Sequence, residues 1–407
     1  MRKLFILYLC LISSIAYAQD YDKHFSDTTL RMDYILTGNA ACQQIALDRL
    51  SKMPGWYGRK HHMELLPVEG NAQLTVRDHH TGDTIYRNSA STLFQEWLTY
   101  PEAQGAARSF EQVWLMPMPK DTVDVTVELR DNRRKVTAAY SHTVNPKDIL
   151  IRRIGERDIT PYEVLQAAQS DSRRINIAFL AEGYTESEMD IFLRHANEAT
   201  EAIFAHEPFK SMRNRFNIIA VKAPSAESGT SEPGNGVWRN TALGSHFNTF
   251  YSDRYLTTLQ LKTIHDRLAG TPYEHIIVLV NTEKYGGGGI LNSYTLTMTR
   301  HTYFKEVVTH EFGHSFAGLA DEYAYDNDEL DMYPLDIEPW EANITTKVNF
   351  ASKWQDMPQA ELHEGAGYRM KGIFRPTEDC RMRSNTTPDF CPVCQRAIRR
   401  LVEFVTE

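Results

Sequence analysis

The chain has 407 residues, 42% of them hydrophobic, and its formal net charge is −9. This length and apolar content allow two domains, each with a full core. An acidic chain has no overall attraction for phosphate backbones, and the clusters of arginine and lysine are too short to form a basic tract. The composition therefore argues against nucleic acid as a partner.

The first 18 residues have the pattern of a secretory signal peptide. Arg2 and Lys3 precede an apolar run over residues 4–15, and Ala16 and Ala18 are the small residues of a cleavage site. The run is too short for a membrane span, and no later segment is apolar over the length that a span requires. We therefore expect a secreted, periplasmic or cell-surface protein without an integral membrane segment after cleavage.

Residues 19–147 carry the signals of β-strands. Apolar and polar residues alternate over residues 123–130, and turn residues stand at 81–83 and at 131–132. Strict alternation of this kind predicts antiparallel strands with one face in solvent. We predict an N-terminal antiparallel β-sandwich with a short helical insertion at residues 41–52, and we identify no catalytic group within it.

A linker is predicted at residues 148–172, and beyond it strands and helices alternate. Apolar runs predict buried strands at residues 175–180, 216–221 and 275–280. The expected architecture of residues 173–407 is an α/β domain with a mixed sheet.

Two helices and an edge strand complete this prediction. Thr185 and Glu188 form a capping box that opens a helix ending near residue 205. A second helix is predicted at residues 252–268. The glycines at 286–289 are expected to be irregular, and residues 290–298 are expected to form an edge strand that an extended peptide could pair with.

The most informative motif is His310-Glu311-Phe312-Gly313-His314. Apolar residues recur here at helical spacing, which predicts a helix over residues 303–317. In such a helix both histidines lie on one face, one turn apart, where their imidazoles can bind a single zinc ion. Glu311 stands beside them and is predicted to be the general base for a water that the metal activates.

Zinc sites need at least three protein ligands. Gly318 can adopt the left-handed conformation that ends a helix, after which Asp321 can turn back towards the metal. We predict Asp321 as the third ligand, with Glu322 as its rival. The alternative is that both belong to a solvated acidic patch with Asp326, Asp328 and Glu329.

The motif resembles the metzincin arrangement, in which a glycine and a third ligand follow His-Glu-x-x-His. Gly318 and Asp321 come one residue later than in most metzincins, a spacing that resembles the IgA peptidase family of secreted metallopeptidases more closely. Further similarity lies in residues 223–250, 286–294, 380–383 and 390–394, so that the resemblance covers roughly residues 173–407. The chain also has an N-terminal extension like that of several members.

The resemblance implies a metzincin-like catalytic domain with zinc bound to His310, His314 and Asp321. It also makes Met382 the candidate methionine turn, an apolar floor beneath the metal ligands. Immunoglobulin A is a substrate that the family name suggests.

Four cysteines remain after signal cleavage: Cys42, Cys380, Cys391 and Cys394. In an oxidising compartment this even number favours disulfides, and the expected bond joins Cys380 to either Cys391 or Cys394. A second, structural zinc bound by these thiolates ranks below the disulfide.

The sequence thus predicts a zinc endopeptidase that acts on a protein or peptide substrate. Tyr323, His363 and Tyr368 are candidates for stabilising the oxyanion. Two other functions stay open: a zinc amidohydrolase that acts on a non-protein amide, and a catalytically idle module that binds a host protein or glycan. The sequence does not specify the oligomeric state.

Overall fold

The computed structural model describes residues 21–171, 173–325 and 332–407. The predicted signal peptide and the acidic residues Asp326, Asp328 and Glu329 lie outside the described residues. Within the described ranges, no helix is long and apolar enough to cross a membrane.

The N-terminal region is a β-sandwich, which confirms the predicted fold class. Its strands are β1 Phe25–Gly38, β2 Gln43–Pro54, β3 Ala72–Asp78, β4 Thr84–Ala90, β5 Arg108–Pro119, β6 Val123–Arg130, β7 Val136–Val144 and β8 Arg152–Arg153, and helix α1 spans Leu93–Trp97. One sheet has the order β5-β1-β2-β8 and the other the order β4-β3-β6-β7.

Alternating side chains build the core between these two sheets. Along β6 the apolar positions are buried and the polar positions are partly exposed, as period-two alternation predicts. Leu30 and Met32 of β1 pack in the same cluster as Leu74 of β3 and Val125 of β6. The predicted turns at residues 81–83 and 131–132 are confirmed, since each separates two paired strands.

The predicted helical insertion at residues 41–52 is wrong, because this segment lies in strand β2. Alanine, leucine and glutamine favour helices on their own. Pairing of β2 with β1 from Gln43 to Pro54 outweighs that local preference.

Strand β1 is buried on both faces, whereas the alternating pattern predicted one face in solvent. Its second face carries Arg31 and Asp33, which are 1% exposed and form an ion pair of 2.7 Å. Arg31 also reaches Asp266 at 2.6 Å, in a helix of the C-terminal region. A buried arginine therefore ties the sandwich to the rest of the chain.

We expect Arg31→Met to lower the free energy of unfolding by about 3 kcal/mol, because it leaves the buried Asp33 carboxylate without its partner. Urea denaturation measures this loss. The double change Arg31→Met with Asp33→Leu should recover most of it. Arg153→Met is the control: Arg153 pairs with Glu156 in solvent, where the pair contributes less than about 1 kcal/mol. Equal losses in Arg31→Met and the control would contradict a stabilising role for Arg31.

The C-terminal region is an α/β structure. Its main strands are β9 Tyr162–Gln166, β10 Ile175–Glu182, β11 Phe216–Val221, β12 His275–Val280, β13 Gly287–Ile290 and β14 Tyr294–Met298. Its helices are α2 Met189–Ile203, α3 Leu261–Leu268, α4 Phe304–Ala317 and α5 Pro392–Thr406. A hairpin is formed by β15 His363–Ala366 and β16 Arg369–Arg375. The capping box at Thr185 and Glu188 is present before α2.

The main sheet has the order β13-β14-β12-β10-β11-β9. Its four inner strands are parallel, and the two edge strands β13 and β9 run antiparallel to their neighbours, so the predicted mixed sheet is confirmed. Residues of α2, α4 and α5 share one hydrophobic cluster with one face of β10. The opposite face of β10 packs with α3 and with Met53 and Val113 of the sandwich.

Two predicted boundaries are wrong. The helix predicted at residues 252–268 contains only Leu261–Leu268, because residues before it make long-range bridges such as that of Thr257 with His246. The glycines at 286–289 are not irregular, since most of them belong to β13. Strand β13 is the edge strand, and β14 lies inside the sheet. Glycine allows β13 to approach the helix beneath it, a constraint that local sequence does not reveal.

Candidate metal centre and active-site cleft

Helix α4 presents the His-Glu-x-x-His motif. It runs from Phe304 to Ala317 and buries Phe312 and Phe316 in the core. Gly318 follows in the left-handed conformation, with a φ of 61°, and its N–H closes the helix on the carbonyl of His314. The predicted helix and its glycine end are therefore confirmed.

His310, His314 and Asp321 converge on one point. The two Nε2 atoms are 3.0 Å apart, and they lie 3.0 Å and 3.2 Å from Oδ1 of Asp321. A tetrahedral zinc ion with bonds of about 2.1 Å separates its nitrogen and oxygen ligands by about 3.4 Å. The spacing of the three atoms is close to that value.

Backbone carbonyls orient both imidazoles. Nδ1 of His310 lies 2.9 Å from the carbonyl oxygen of Arg381, and Nδ1 of His314 lies 2.5 Å from that of Leu319. A carbonyl only accepts, so each Nδ1 carries a proton and Nε2 is the ring nitrogen that faces Asp321. This outer-sphere pattern is typical of histidines that bind metals.

Asp321 is 6% exposed, and its Oδ1 lacks a hydrogen-bond partner. Burial opposes ionisation of Asp321, but the two imidazoles lower its pKa well below the usual range. Burial likewise disfavours a charged His314, yet the Asp321 carboxylate outweighs it and raises the pKa of His314 to about 9. A buried carboxylate oxygen beside two imidazole nitrogens needs positive charge there, which a proton or a metal cation supplies, and the chemistry of these ligand atoms fits zinc.

Tyr368 and Gly367 hold Asp321 in place. The hydroxyl of Tyr368 donates to Oδ2 of Asp321, and the N–H of Gly367 donates to its carbonyl at 3.0 Å. The carboxylate of the rival Glu322 lies elsewhere, among buried cysteines. Asp321 therefore joins the histidines, and Glu322 does not.

Glu311 lies between the histidines in sequence and borders the cleft. Burial raises its pKa above the usual range of a glutamate. Strand β13 passes close by: a Cβ added to Gly287 would lie 2.8 Å from Oε1 of Glu311. Glycine in β13 therefore gives room to the carboxylate and to the helix that carries it.

We expect Gly289→Ala to displace helix α4 from β13, because the added Cβ would lie 2.2 Å from the Glu311 carbonyl oxygen and 2.8 Å from Cβ of His314. Overpacking of this kind costs about 1–3 kcal/mol. Thermal unfolding and zinc titration should show lower stability and weaker metal binding. Gly105→Ala is the control, since nothing lies within 4 Å of its added Cβ. A variant at Gly289 that matches this control would contradict the close contact.

Met382 lies beneath α4, as the methionine-turn prediction requires. A Cβ on Gly313 would be 2.7 Å from Sδ of Met382, which is fully buried. The carbonyl of Met382 also accepts from the N–H of Glu322 at 2.8 Å. The methionine thus supports both the helix and the segment that carries Asp321.

A cleft of about 1060 Å³ opens over the three converging residues. One wall comes from β13, and another comes from the sandwich, including Glu96 and Arg130. Tyr255 donates to Glu96 at 2.6 Å, and burial raises the pKa of Glu96 to about 7. Sequence reasoning missed this contribution, because no local motif marks Glu96.

The three candidates for the oxyanion differ in position. Tyr323 and Tyr368 line the cleft. His363 pairs with Glu361 at 3.2 Å on the hairpin strand β15. Since Tyr368 already donates to Asp321, Tyr323 is the remaining tyrosine candidate at the cleft.

The expected disulfide is not formed: Cys42 is an exposed free thiol, and Cys380, Cys391 and Cys394 are buried free thiols. The sulfurs of Cys380 and Cys394 are 3.8 Å apart, whereas a disulfide requires about 2.05 Å. The even number of cysteines misled the prediction, because three sulfurs meet at one place and the fourth lies at the surface.

A His-Glu-x-x-His helix, the Asp321 carboxylate beside both histidines and a cleft above them are typical of a metallopeptidase. The chain belongs to the IgA Peptidase M64 family: the model of that family matches residues 164–363 and 358–402, and the model of the Peptidase M64 N-terminus matches residues 20–141. The resemblance found in the sequence is therefore confirmed. A search among curated proteins finds no match.

Proposed function

We propose that the protein is a secreted zinc endopeptidase, with His310, His314 and Asp321 as metal ligands and Glu311 as general base. The convergence of three possible metal-ligand atoms, one of which is the unsatisfied Oδ1 of Asp321, carries this proposal. The proposed division of the chain is a signal peptide at 1–18, a sandwich at 19–147, a linker at 148–172 and a catalytic domain at 173–407. The linker contributes β8 to a sandwich sheet and β9 to the main sheet.

The residues of the chain divide the chemistry between them. Zinc, when bound, lowers the pKa of a water molecule and polarises the scissile carbonyl. Glu311 takes a proton from the attacking water and returns it to the nitrogen of the leaving amine. Tyr323, which lines the cleft, is the proposed donor to the oxyanion.

The edge strand β13 is the proposed docking site for the substrate backbone. Residues 287–291 line the cleft, and β13 occupies the edge of the sheet. An isolated bridge to Tyr255 covers its first residue, Gly287. A substrate would therefore pair along Gly288 to Ile290, in the extended conformation that sheet edges select.

Metal removal tests the proposed function. We expect chelation of the purified mature protein to abolish cleavage of a protein substrate, at least about a hundredfold, and zinc to restore it. Immunoglobulin A is the first substrate to examine, beside an unfolded protein that reports on general peptidase activity. Full activity after verified removal of the metal would contradict the zinc mechanism. Cleavage of the unfolded protein alone would keep the peptidase and reject immunoglobulin A.

A further inference from the structure

Behind the catalytic residues lies a second cluster of metal-binding side chains. Glu322, Cys380, Cys391 and Cys394 place one ligand atom each within 4.8 Å of one another, and all four are buried. The proposed mechanism uses none of them. A carboxylate without solvent is costly to bury unless something neutralises it.

The distances within this cluster match a tetrahedral metal better than a covalent bond. The 3.8 Å between the sulfurs of Cys380 and Cys394 equals the edge of a tetrahedron with zinc–sulfur bonds of about 2.3 Å. Oε1 of Glu322 lies 3.2 Å from the sulfur of Cys394 and 3.9 Å from that of Cys391. One carboxylate oxygen thus completes the fourth corner.

Backbone N–H groups surround the sulfurs in the way that stabilises thiolates. The N–H of Met382 and that of Cys391 lie 3.4 Å and 3.2 Å from the sulfur of Cys380. The N–H of Cys394 lies 3.5 Å from the sulfur of Cys391, which caps the start of helix α5. The positive end of this helix further favours negative charge at Cys391.

The carboxylate is also prepared to bind. Asn343 donates to Oε1 of Glu322 at 2.9 Å and fixes its orientation, while Oε2 has no partner. Oε1, held by Asn343, is the oxygen that faces the thiols. A buried carboxylate beside three thiols, with its second oxygen unsatisfied, indicates a missing cation.

We propose that Cys380, Cys391, Cys394 and Glu322 bind a second, structural zinc ion. Three thiolates select a borderline-soft metal over magnesium or calcium, and four protein ligands leave no open position for chemistry. Binding releases the three thiol protons to solvent and requires no oxidant.

This zinc would brace the catalytic centre from below. Glu322 follows the proposed ligand Asp321 directly, and Cys380 precedes Met382 by two residues. Cys391 and Cys394 begin helix α5, which packs in the same hydrophobic cluster as α4. One ion would therefore fasten three segments that are distant in sequence and that together fix the floor of the site.

Metal analysis of the full mature chain tests this inference. We expect about two equivalents of zinc, falling to about one in Cys391→Ser and in Asp321→Asn. After exchange with cobalt, only Cys391→Ser should lose the thiolate-to-cobalt charge-transfer absorption. The matched control Cys42→Ser removes an exposed thiol and should keep both metals and the absorption.

The unaltered protein provides a test that does not depend on the folding of a variant. A mercurial thiol reagent should release one equivalent of zinc. The mass of the intact protein should equal that of the fully reduced chain, because each disulfide would lower it by two hydrogens. A disulfide between any two of the three buried cysteines, or no thiolate absorption with cobalt, would overturn the second site. Asp321→Asn separates the two proposals, since a single remaining equivalent with thiolate absorption supports the cysteine site regardless of catalysis.

Discussion

The substitution Glu311→Gln is expected to lower kcat/KM by about a thousandfold, or about 4 kcal/mol in transition-state stabilisation. The amide has the shape of the carboxylate but cannot take a proton from water. Because Glu311 is not one of the three proposed metal ligands, the zinc content should stay unchanged. The measurement is peptide hydrolysis under conditions in which metal content and the far-ultraviolet circular dichroism spectrum are recorded on the same samples.

Glu283→Gln is the matched control for the base, because it makes the same chemical change at an exposed carboxylate that pairs with Arg300. Its activity should equal that of the unaltered protein. Retained activity in Glu311→Gln with normal metal content would move the base to another residue of the cleft, and Glu96 would be the next to test because burial raises its pKa to about 7.

Asp321→Asn should have the second largest effect, through the loss of metal from the catalytic centre. The change keeps the shape of the side chain but removes the negative charge that faces both imidazoles. Loss of a direct ligand should weaken zinc binding by more than the roughly 10- to 100-fold that outer-sphere changes cause. Tyr368→Phe removes only the hydroxyl that donates to Asp321, and it should fall within that smaller range.

Competition with a chromophoric chelator measures both affinities. Asp356→Asn is the control, because Asp356 pairs with Arg396 at the surface. Asp321→Asn binding as tightly as Tyr368→Phe would place Asp321 outside the direct ligands. Because the proposed cysteine site also holds zinc, the titration must follow the metal that Asp321→Asn affects and not the total content.

The helix and its histidines could be predicted because the information lies within about one turn of chain. Helical spacing fixes His310 and His314 on one face, and Gly318 ends the helix where the backbone must turn. Strand β6 is likewise visible in its alternation. The sequence pattern fails for β2, whose residues favour a helix on their own. Backbone pairing with β1 stabilises the strand more than that local preference stabilises a helix.

Contacts between distant segments could not be predicted in the same way. Arg381 orients His310 from 71 residues away, and Tyr368 holds Asp321 from 47 residues away. Glu96 enters the cleft from the sandwich. No local pattern encodes these contacts, because the residues meet only when the hairpin, the sandwich and the main sheet have packed together.

The sequence by itself determined the family, the His-Glu-x-x-His helix, the sandwich and the mixed sheet, since periodicity, glycine and motif spacing act over short distances. Only the tertiary structure places Asp321, and not Glu322, beside the two histidines. It turned one carboxylate towards two histidines and the next towards three cysteines. It also replaced the expected disulfide with converging free thiols, because the direction of a side chain depends on how segments pack and not on how many cysteines a chain contains.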